Sequence, residues 1–149
     1  MSDRARKVPE RSTFGVRPGT LRIGTSPRIR RLRRVLVVDD DPVVRQVVAT
    51  ILSTRGYDVV VRGEALGTLA VIAREQPDIV VLDVNMPGLS GDALARLVSN
   101  RAGKAPQVIL HSSQPHGELA RLAQEAGALG AIEKGDPRDF LEAFEALVG

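Results

Sequence analysis

The sequence predicts a single α/β domain in which five parallel strands are flanked by helices on both faces. From Arg33 onward, short apolar runs rich in β-branched residues alternate with stretches whose apolar residues recur at helical spacing. This alternation is typical of βα units that form a parallel sheet. Several of the apolar runs end abruptly in polar residues, as buried strands do where they reach the edge of a sheet. The 149 residues suffice for one domain with its own core.

The strands are predicted from runs of four or five residues dominated by Val, Ile and Leu. They cover about Arg34–Val38, Tyr57–Val61, Asp78–Leu82, Gln107–His111 and Leu129–Ile132. No dinucleotide-type glycine fingerprint is found, and no internal repeat beyond the alternation itself.

The helices are predicted from capping residues and apolar spacing. They cover about Pro42–Arg55, Glu64–Glu75, Asp92–Asn100, Gly117–Ala126 and Pro137–Leu147. Asp41 is the expected N-cap of the first helix, with Pro42 at its first helical position. We expect the first helix to bury the face formed by Val43, Val44, Val47, Val48, Ile51 and Leu52. We expect the second to bury Leu66, Leu69, Ala70, Ile72 and Ala73, and the others to present Leu94, Leu97, Val98, Leu119, Leu122, Ala123, Phe140, Leu141, Phe144 and Leu147 as apolar positions.

The composition excludes several classes of protein. The chain has no cysteine, so it has neither a disulfide framework nor a thiolate metal site. No apolar run approaches the length of a membrane span, and the N-terminus lacks the apolar core of a signal peptide. We therefore expect a soluble cytoplasmic protein.

The charge is divided unevenly along the chain. Residues 1–34 contain eleven Lys or Arg and two Asp or Glu, whereas residues 35–149 contain ten and sixteen. The net charge of +3 therefore describes a basic tail joined to an acidic domain. Residues 1–32 show no apolar periodicity and carry three prolines and three glycines, so we predict a mostly disordered extension followed by a domain over 33–149.

The arginine-rich run 28–34 has two interpretations. It could bind nucleic acid or an anionic membrane surface, or it could be a solvated tail that folds back on the acidic domain. We favour the solvated tail, because no aromatic residues interleave the arginines and no helix-turn-helix follows.

Polar residues stand where the predicted strands end. Asp39, Asp40 and Asp41 follow the first strand and Asp83 the third; Ser112 follows the fourth, and Lys134 stands two residues beyond the fifth. In open α/β sheets this carboxyl edge is where ligands bind. Carboxylates bind hard cations such as Mg²⁺, and a carboxylate is also a nucleophile towards phosphorus. The set therefore suggests a divalent cation beside a phosphorylatable aspartate.

Each of these residues also has a purely structural interpretation. The aspartate triplet could be a solvated acidic turn in which Asp41 caps the helix, and Asp83 and Ser112 could cap loops. Lys134 could be a solvated surface residue. The combination carries the functional interpretation, together with the loop after Asp83, where Met86-Pro87 fixes a turn and two glycines relax the backbone.

The motifs Val37-Val38-Asp39-Asp40-Asp41-Pro42 and Val81-Leu82-Asp83-Val84-Asn85-Met86-Pro87-Gly88-Leu89-Ser90-Gly91, with Ser112 and Lys134, resemble a response-regulator receiver domain. This is the CheY-like phosphoacceptor module of two-component signalling, and the resemblance covers about Arg33–Gly149. It implies a flavodoxin-like, doubly wound (βα)5 fold with a sheet in the order 2-1-3-4-5.

The resemblance also implies roles for the site residues. Asp83 would accept a phosphoryl group from the phosphohistidine of a histidine kinase. Asp40, Asp83 and the backbone carbonyl of Asn85 would ligate Mg²⁺ directly, and Asp39 would act through a metal-bound water.

Further residues would act on the phosphoryl group itself. Ser112 would move inward to bind it and Lys134 would pair with it. Asn85 and Gln114 would influence the rate at which it is lost to water.

Two positions depart from the family pattern. Ala131 stands where the fifth strand usually carries an aromatic switch residue, and Gly135 stands where proline usually follows the lysine. The phosphorylation chemistry is therefore expected to be complete, whereas the relay to the output surface is altered. The usual cis peptide after the lysine need not form.

We expect a stand-alone receiver, because nothing remains after the fifth helix for an output domain. Its partners would be a histidine kinase or phosphotransfer protein upstream and a protein target that contacts helix four, strand five and helix five. We do not expect a turnover enzyme, and a nucleic-acid partner is disfavoured.

Three alternatives remain open. The first is a phosphorylation-independent adaptor with the same fold, which Ala131 and Gly135 favour. The second is a nucleic-acid-binding regulator that uses the basic tail. The third is a haloacid-dehalogenase-type phosphatase, against which Asn85 counts because that class needs a second acid at this position.

The two histidines are expected to lie outside the phosphoryl chemistry. We expect His111 to be a buried, hydrogen-bonded core residue in the fourth strand, and His116 to be solvated in the loop before the fourth helix.

Overall fold

The computed structural model describes residues 33–100 and 105–149. These residues form a five-stranded sheet in the order β2-β1-β3-β4-β5, and every neighbouring pair of strands is parallel. The predicted fold class and strand order are thus confirmed. The strands are β1 Arg34–Val38, β2 Asp58–Arg62, β3 Ile79–Asp83, β4 Gln107–Ser112 and β5 Gly130–Glu133.

A helix follows each strand in the chain, as predicted. The helices are α1 Pro42–Thr54, α2 Thr68–Glu75, α3 Gly91–Ser99, α4 His116–Ala126 and α5 Pro137–Val148. Asp41 caps α1 as expected, since its side chain accepts hydrogen bonds from the backbone N–H groups of Val43 and Val44.

Alternate residues of the central strands face opposite layers. Leu36 and Val38 of β1 belong to the core beneath α2, α3 and α4. Val35 and Val37 belong to the core beneath α1 and α5. Because both faces of the sheet are covered, β3 is buried along its whole length.

An aromatic cluster fills the layer beneath α1 and α5. Phe140 and Phe144 stack with ring centroids 5.7 Å apart, and Tyr57 meets Phe144 edge to face at 5.4 Å. His111 projects from β4 into the same layer and meets the ring of Phe140 at 5.0 Å. The expected burial of His111 is confirmed, and its side chain packs against the aromatic ring of Phe140.

The predicted start of α2 is wrong, and of its predicted inward residues only Ile72 is buried. The helix begins at Thr68 rather than Glu64, and its buried residues are Thr68, Val71 and Ile72. The cause lies in the preceding loop, where the guanidinium of Arg62 donates to the carbonyl groups of Glu64 and Leu66. Those carbonyls are therefore held by a side chain rather than by helical N–H groups. The predicted inward residues Leu66, Leu69, Ala70 and Ala73 are exposed.

Smaller corrections concern single positions. Val43 and Val47 of α1, and Leu97 of α3, are exposed because the buried stripe of each helix is narrower than its apolar stripe. His116 is the exposed first residue of α4 rather than a loop residue.

Of the basic run at 28–34, the structure describes Arg33 and Arg34. Arg34 is the first residue of β1, and its guanidinium pairs with Asp58 at 2.8 Å and with Glu75 at 3.5 Å. The predicted disordered extension, residues 1–32, lies outside the described residues. No helix within the described part of the chain is long and apolar enough to cross a membrane.

Candidate functional site

The predicted site residues converge at the carboxyl edge of the sheet. Asp83 and Ser112 are the last residues of β3 and β4, while Asp39 directly follows β1 and Lys134 directly follows β5. Because the strands are parallel and adjacent in the order β1-β3-β4-β5, the topology alone brings these four side chains to one place.

Three carboxylates form an acidic cluster there. Asp39, Asp40 and Asp83 each place one carboxylate oxygen so that these oxygens lie within 4.8 Å of one another. Asp39 and Asp83 are buried, with 2% and 4% of their surface exposed, whereas Asp40 is exposed. The cluster is therefore open to solvent on the side of Asp40.

Lys134 supplies a cation to the two buried carboxylates. Its Nζ lies 3.0 Å from Asp39 Oδ2 and 3.4 Å from Asp83 Oδ1. Asp39 Oδ2 makes this ion pair without a well-aligned hydrogen bond to any group in the described residues. Lys134 is thus the one described polar partner of this buried carboxylate oxygen within residues 33–100 and 105–149.

The electrostatics show that the cluster carries excess negative charge. Burial and the charge of Asp39 raise the pKa of Asp83 from 3.8 to about 6, although Lys134 and the Asn85 N–H act in the opposite direction. For Lys134, burial favours the neutral amine, but its contacts with Asp39 and Asp83 dominate and raise its pKa. One lysine does not balance the carboxylates, and a divalent cation would complete the neutralisation.

The donor set fits Mg²⁺. Clustered carboxylates with one exposed member match the preference of Mg²⁺ for a few carboxylate ligands together with retained waters. The raised pKa of Asp83 and the burial of Asp39 Oδ2 with Lys134 as its one described polar partner fit a cation site lined by these groups. Asp41 stands apart from this set, because its carboxylate is used to cap α1.

A second group of polar residues surrounds the hydroxyl of Ser112. Its Oγ accepts hydrogen bonds from the Gln114 N–H at 3.2 Å and from the Asn85 Nδ2 at 3.5 Å. The backbone N–H of Asn85 donates to Asp83 Oδ1 at 3.2 Å. Gln114 Oε1 is buried and has no hydrogen-bond partner in the described part of the chain. Asn85 therefore links Asp83 to Ser112.

The loop after β3 depends on two glycines for different reasons. Gly88 has a φ of +90°, which confirms the predicted turn after Met86-Pro87. Gly91 is needed for space rather than for its backbone angle, because a Cβ there would collide with the carbonyl group of Asp83. The backbone of α3 thus begins against the residue at the centre of the site.

The two positions that depart from the family pattern, Ala131 and Gly135, lie in backbone without a cis peptide bond. Within residues 33–100 and 105–149 every peptide bond is trans. Ala131 is half-buried and packs against the core beneath α2, α3 and α4. The backbone N–H of Lys134 donates to the carbonyl of Ser112 at 2.7 Å, so β4 and β5 remain joined up to the site.

Sequence reasoning missed one residue that contacts the site. Arg45, in the first turn of α1, donates from Nη1 to the backbone carbonyl of Asp39 at 2.7 Å. A cation in the first turn of a helix opposes the helix dipole, and this was the only signal that the position had a special use.

Comparison with known proteins agrees with the fold. Residues 35–145 match the model of the response regulator receiver domain. Among solved structures, the chemotaxis response regulator CheY4 of Vibrio cholerae superposes with a TM-score of 0.71 at 25% identity, covering 78% of this chain and 98% of that chain. The response regulator domain of Thermotoga maritima CheB superposes with a TM-score of 0.69 at 29% identity, covering 79% and 95%.

Curated relatives are longer proteins. A protein-glutamate methylesterase/protein-glutamine glutaminase of Myxococcus xanthus is 38% identical over 103 residues, which is 68% of this chain and 30% of that protein. The DNA-binding response regulator MtrA of Mycolicibacterium smegmatis is 30% identical over 96 residues, 64% of this chain and 41% of that protein. The chain thus spans less than half of these relatives. The family model covers most of the chain, and the chain belongs to the response regulator receiver domain family of two-component signalling.

Proposed function

We propose that this chain is a cytoplasmic receiver that accepts a phosphoryl group on Asp83 and transmits the change through protein–protein contacts. The observation that carries the proposal is the position of Asp83 itself. It is a buried carboxylate at a strand end, with two further carboxylates within 4.8 Å and a lysine ammonium 3.4 Å from its Oδ1. The expectation that this receiver acts alone, without an attached output domain, stays a prediction.

The transfer step follows from these groups. A carboxylate oxygen of Asp83 attacks the phosphorus of a phosphohistidine, the O–P bond forms as the N–P bond breaks, and the imidazole leaves with the electron pair. Lys134 then neutralises a phosphoryl oxygen, and the Ser112 hydroxyl donates a hydrogen bond to another. Mg²⁺, held by Asp40, Asp83 and the Asn85 carbonyl, with Asp39 acting through water, would supply the remaining positive charge when bound.

The proposed partners follow from the same chemistry. A histidine kinase or phosphotransfer protein would donate the phosphoryl group. The target would contact the surface formed by α4, β5 and α5, which adjoins Ser112 and Lys134 at the ends of β4 and β5. Ala131 lacks the aromatic ring that usually moves on this surface, so the change of this surface on phosphorylation would be smaller.

The experiment is intact mass spectrometry after incubation with acetyl phosphate and Mg²⁺. We expect the gain of one phosphoryl group in the wild type and in Asp41→Asn, whose new amide still caps α1. We expect no gain in Asp83→Asn or in the presence of EDTA.

The outcome separates the two candidate functions. Absence of phosphorylation in a wild type that is folded by circular dichroism, and that a cognate kinase also fails to label, would contradict the proposal. It would favour the phosphorylation-independent adaptor, for which Ala131 is the specific observation.

A further inference from the structure

The backbone of Asp39 is held on both sides just beyond the end of the β1–β2 ladder. The paired register ends at Val38 and Arg62. The N–H of Asp39 still donates to the Arg62 carbonyl at 3.1 Å. Its own carbonyl accepts from Arg45 Nη1 at 2.7 Å, so a side chain from α1 provides the donor where the strand pairing stops.

The guanidinium of Arg45 occupies a confined place. A Cβ built on Gly63, the residue after β2, would lie 2.7 Å from Arg45 Nη1 and 3.3 Å from its Cζ. Arg45 thus bridges the β1–α1 turn and the residue that follows β2. A side chain at position 63 would therefore crowd the guanidinium and force it to shift.

The tethered carbonyl belongs to the peptide that joins Asp39 to Asp40. These residues provide two of the three clustered carboxylates. The carboxylate of Asp39 is fixed further because its Oδ1 accepts from the Asp41 N–H at 2.9 Å. Asp40 is exposed, and its direction depends on the peptide before it.

We propose that Arg45 is a positioning residue for the magnesium site, because its hydrogen bond to the Asp39 carbonyl fixes the peptide from which the Asp39 and Asp40 carboxylates project. This inference rests on the proposed function, which supplies the metal. Removing groups that orient metal ligands typically weakens metal binding about 10- to 100-fold. We expect the lower end of that range here, since Arg45 orients the ligands through their backbone.

The test is isothermal titration calorimetry with Mg²⁺ on Arg45→Met and Gly63→Ala. We expect both to weaken Mg²⁺ binding about 10-fold, the second because the added Cβ displaces the guanidinium. In the double variant the Gly63→Ala change should add nothing, since the contact is already gone. Gln46→Ala, next to Arg45 on α1, and Gly117→Ala, whose Cβ would meet nothing within 4 Å, should bind as the wild type does.

Each outcome decides one question. Wild-type affinity in both Arg45→Met and Gly63→Ala would overturn the role of Arg45. Additive losses in the double variant would also overturn it, because they would place the two effects on separate contacts. Should Arg45→Met fail to fold, Gly63→Ala retains the arginine and decides alone. If the wild type itself does not bind Mg²⁺, or Asp40→Asn binds it equally well, the proposed function fails instead.

Discussion

His111 and Asp83 are neighbours in the β3–β4 register, and burial shifts the pKa values of their side chains in opposite directions. Burial, with the charge of Lys134, lowers the pKa of His111 from 6.5 to about 4. Burial and Asp39 raise the pKa of Asp83 from 3.8 to about 6. In both cases the folded state favours the neutral form.

The signs of their contributions to stability are therefore opposite. As the pH falls from about 6.5 to 4, the unfolded chain protonates His111 before the folded chain does, so folding becomes less favourable. As the pH falls from about 6 to 3.8, the folded chain protonates Asp83 first, so folding becomes more favourable. A pH profile of the free energy of unfolding of the wild type would show mainly the difference between the contributions of His111 and Asp83.

A single substitution isolates the histidine. In metal-free buffer, we expect the free energy of unfolding of His111→Leu to rise by about 2 kcal/mol relative to that of the wild type when the pH falls from 7.5 to 4.5. The reason is that leucine has no group that the unfolded chain protonates before the folded chain does. Urea denaturation at the two pH values measures this. His116→Gln, at an exposed position, serves as the control, and an equal gain in that variant would contradict the assignment to His111.

At the scale of elements, the close approach of α3 to β3 determines what the β3–α3 loop tolerates. The backbone N–H of Gly91 donates to the Val84 carbonyl at 2.9 Å, and its Cα faces the Asp83 carbonyl. A methyl group there must push the helix or the strand aside, because both contacting groups are backbone.

We therefore expect Gly91→Ala to lower the free energy of unfolding by about 1–3 kcal/mol, as overpacking does in well-packed sites. Chemical denaturation measures the change, with Gly117→Ala as the control because its Cβ meets open space. A loss in Gly91→Ala no larger than in the control would show that the loop adjusts freely.

The elements also show how far sequence reasoning reaches. The five strands and their polar ends were predictable, because runs such as Ile79–Asp83 are apolar until a single charged residue. The start of α2 was not, because it depends on where the Arg62 guanidinium reaches after folding. The contact of Arg45 with Asp39 was missed for the same reason, since a long side chain can bond to groups that local periodicity does not reveal.

The site residues themselves were brought together as the motifs suggested. Asp39, Asp83, Ser112 and Lys134 meet because parallel neighbouring strands end at one edge, which topology determines. The motif predicts Gly91 for its backbone freedom, whereas the structure shows a need for space. Sequence alone does not distinguish these two uses of glycine.

For the molecule as a whole, the three clustered carboxylates, which Lys134 neutralises only in part, oppose folding until a divalent cation joins them. We expect Mg²⁺ at about 100 times its dissociation constant to add about 2.7 kcal/mol to the free energy of unfolding. Thermal unfolding with Mg²⁺ or EDTA measures this, and Asp40→Asn should lose most of the difference. An equal shift in that variant would place the effect of Mg²⁺ elsewhere on the molecule.

The raised pKa of Asp83 makes the proposed loading of this carboxylate, with a cation or a phosphoryl group, an exchange reaction. Near pH 6 the carboxyl carries a proton in part of the population, and a cation or a phosphoryl group must expel that proton before it can use the oxygen. The heat of loading therefore includes the ionisation enthalpy of whichever buffer receives the proton. Acidification opposes loading by mass action alone, because protons compete with the cation or the phosphoryl group for the same carboxylate.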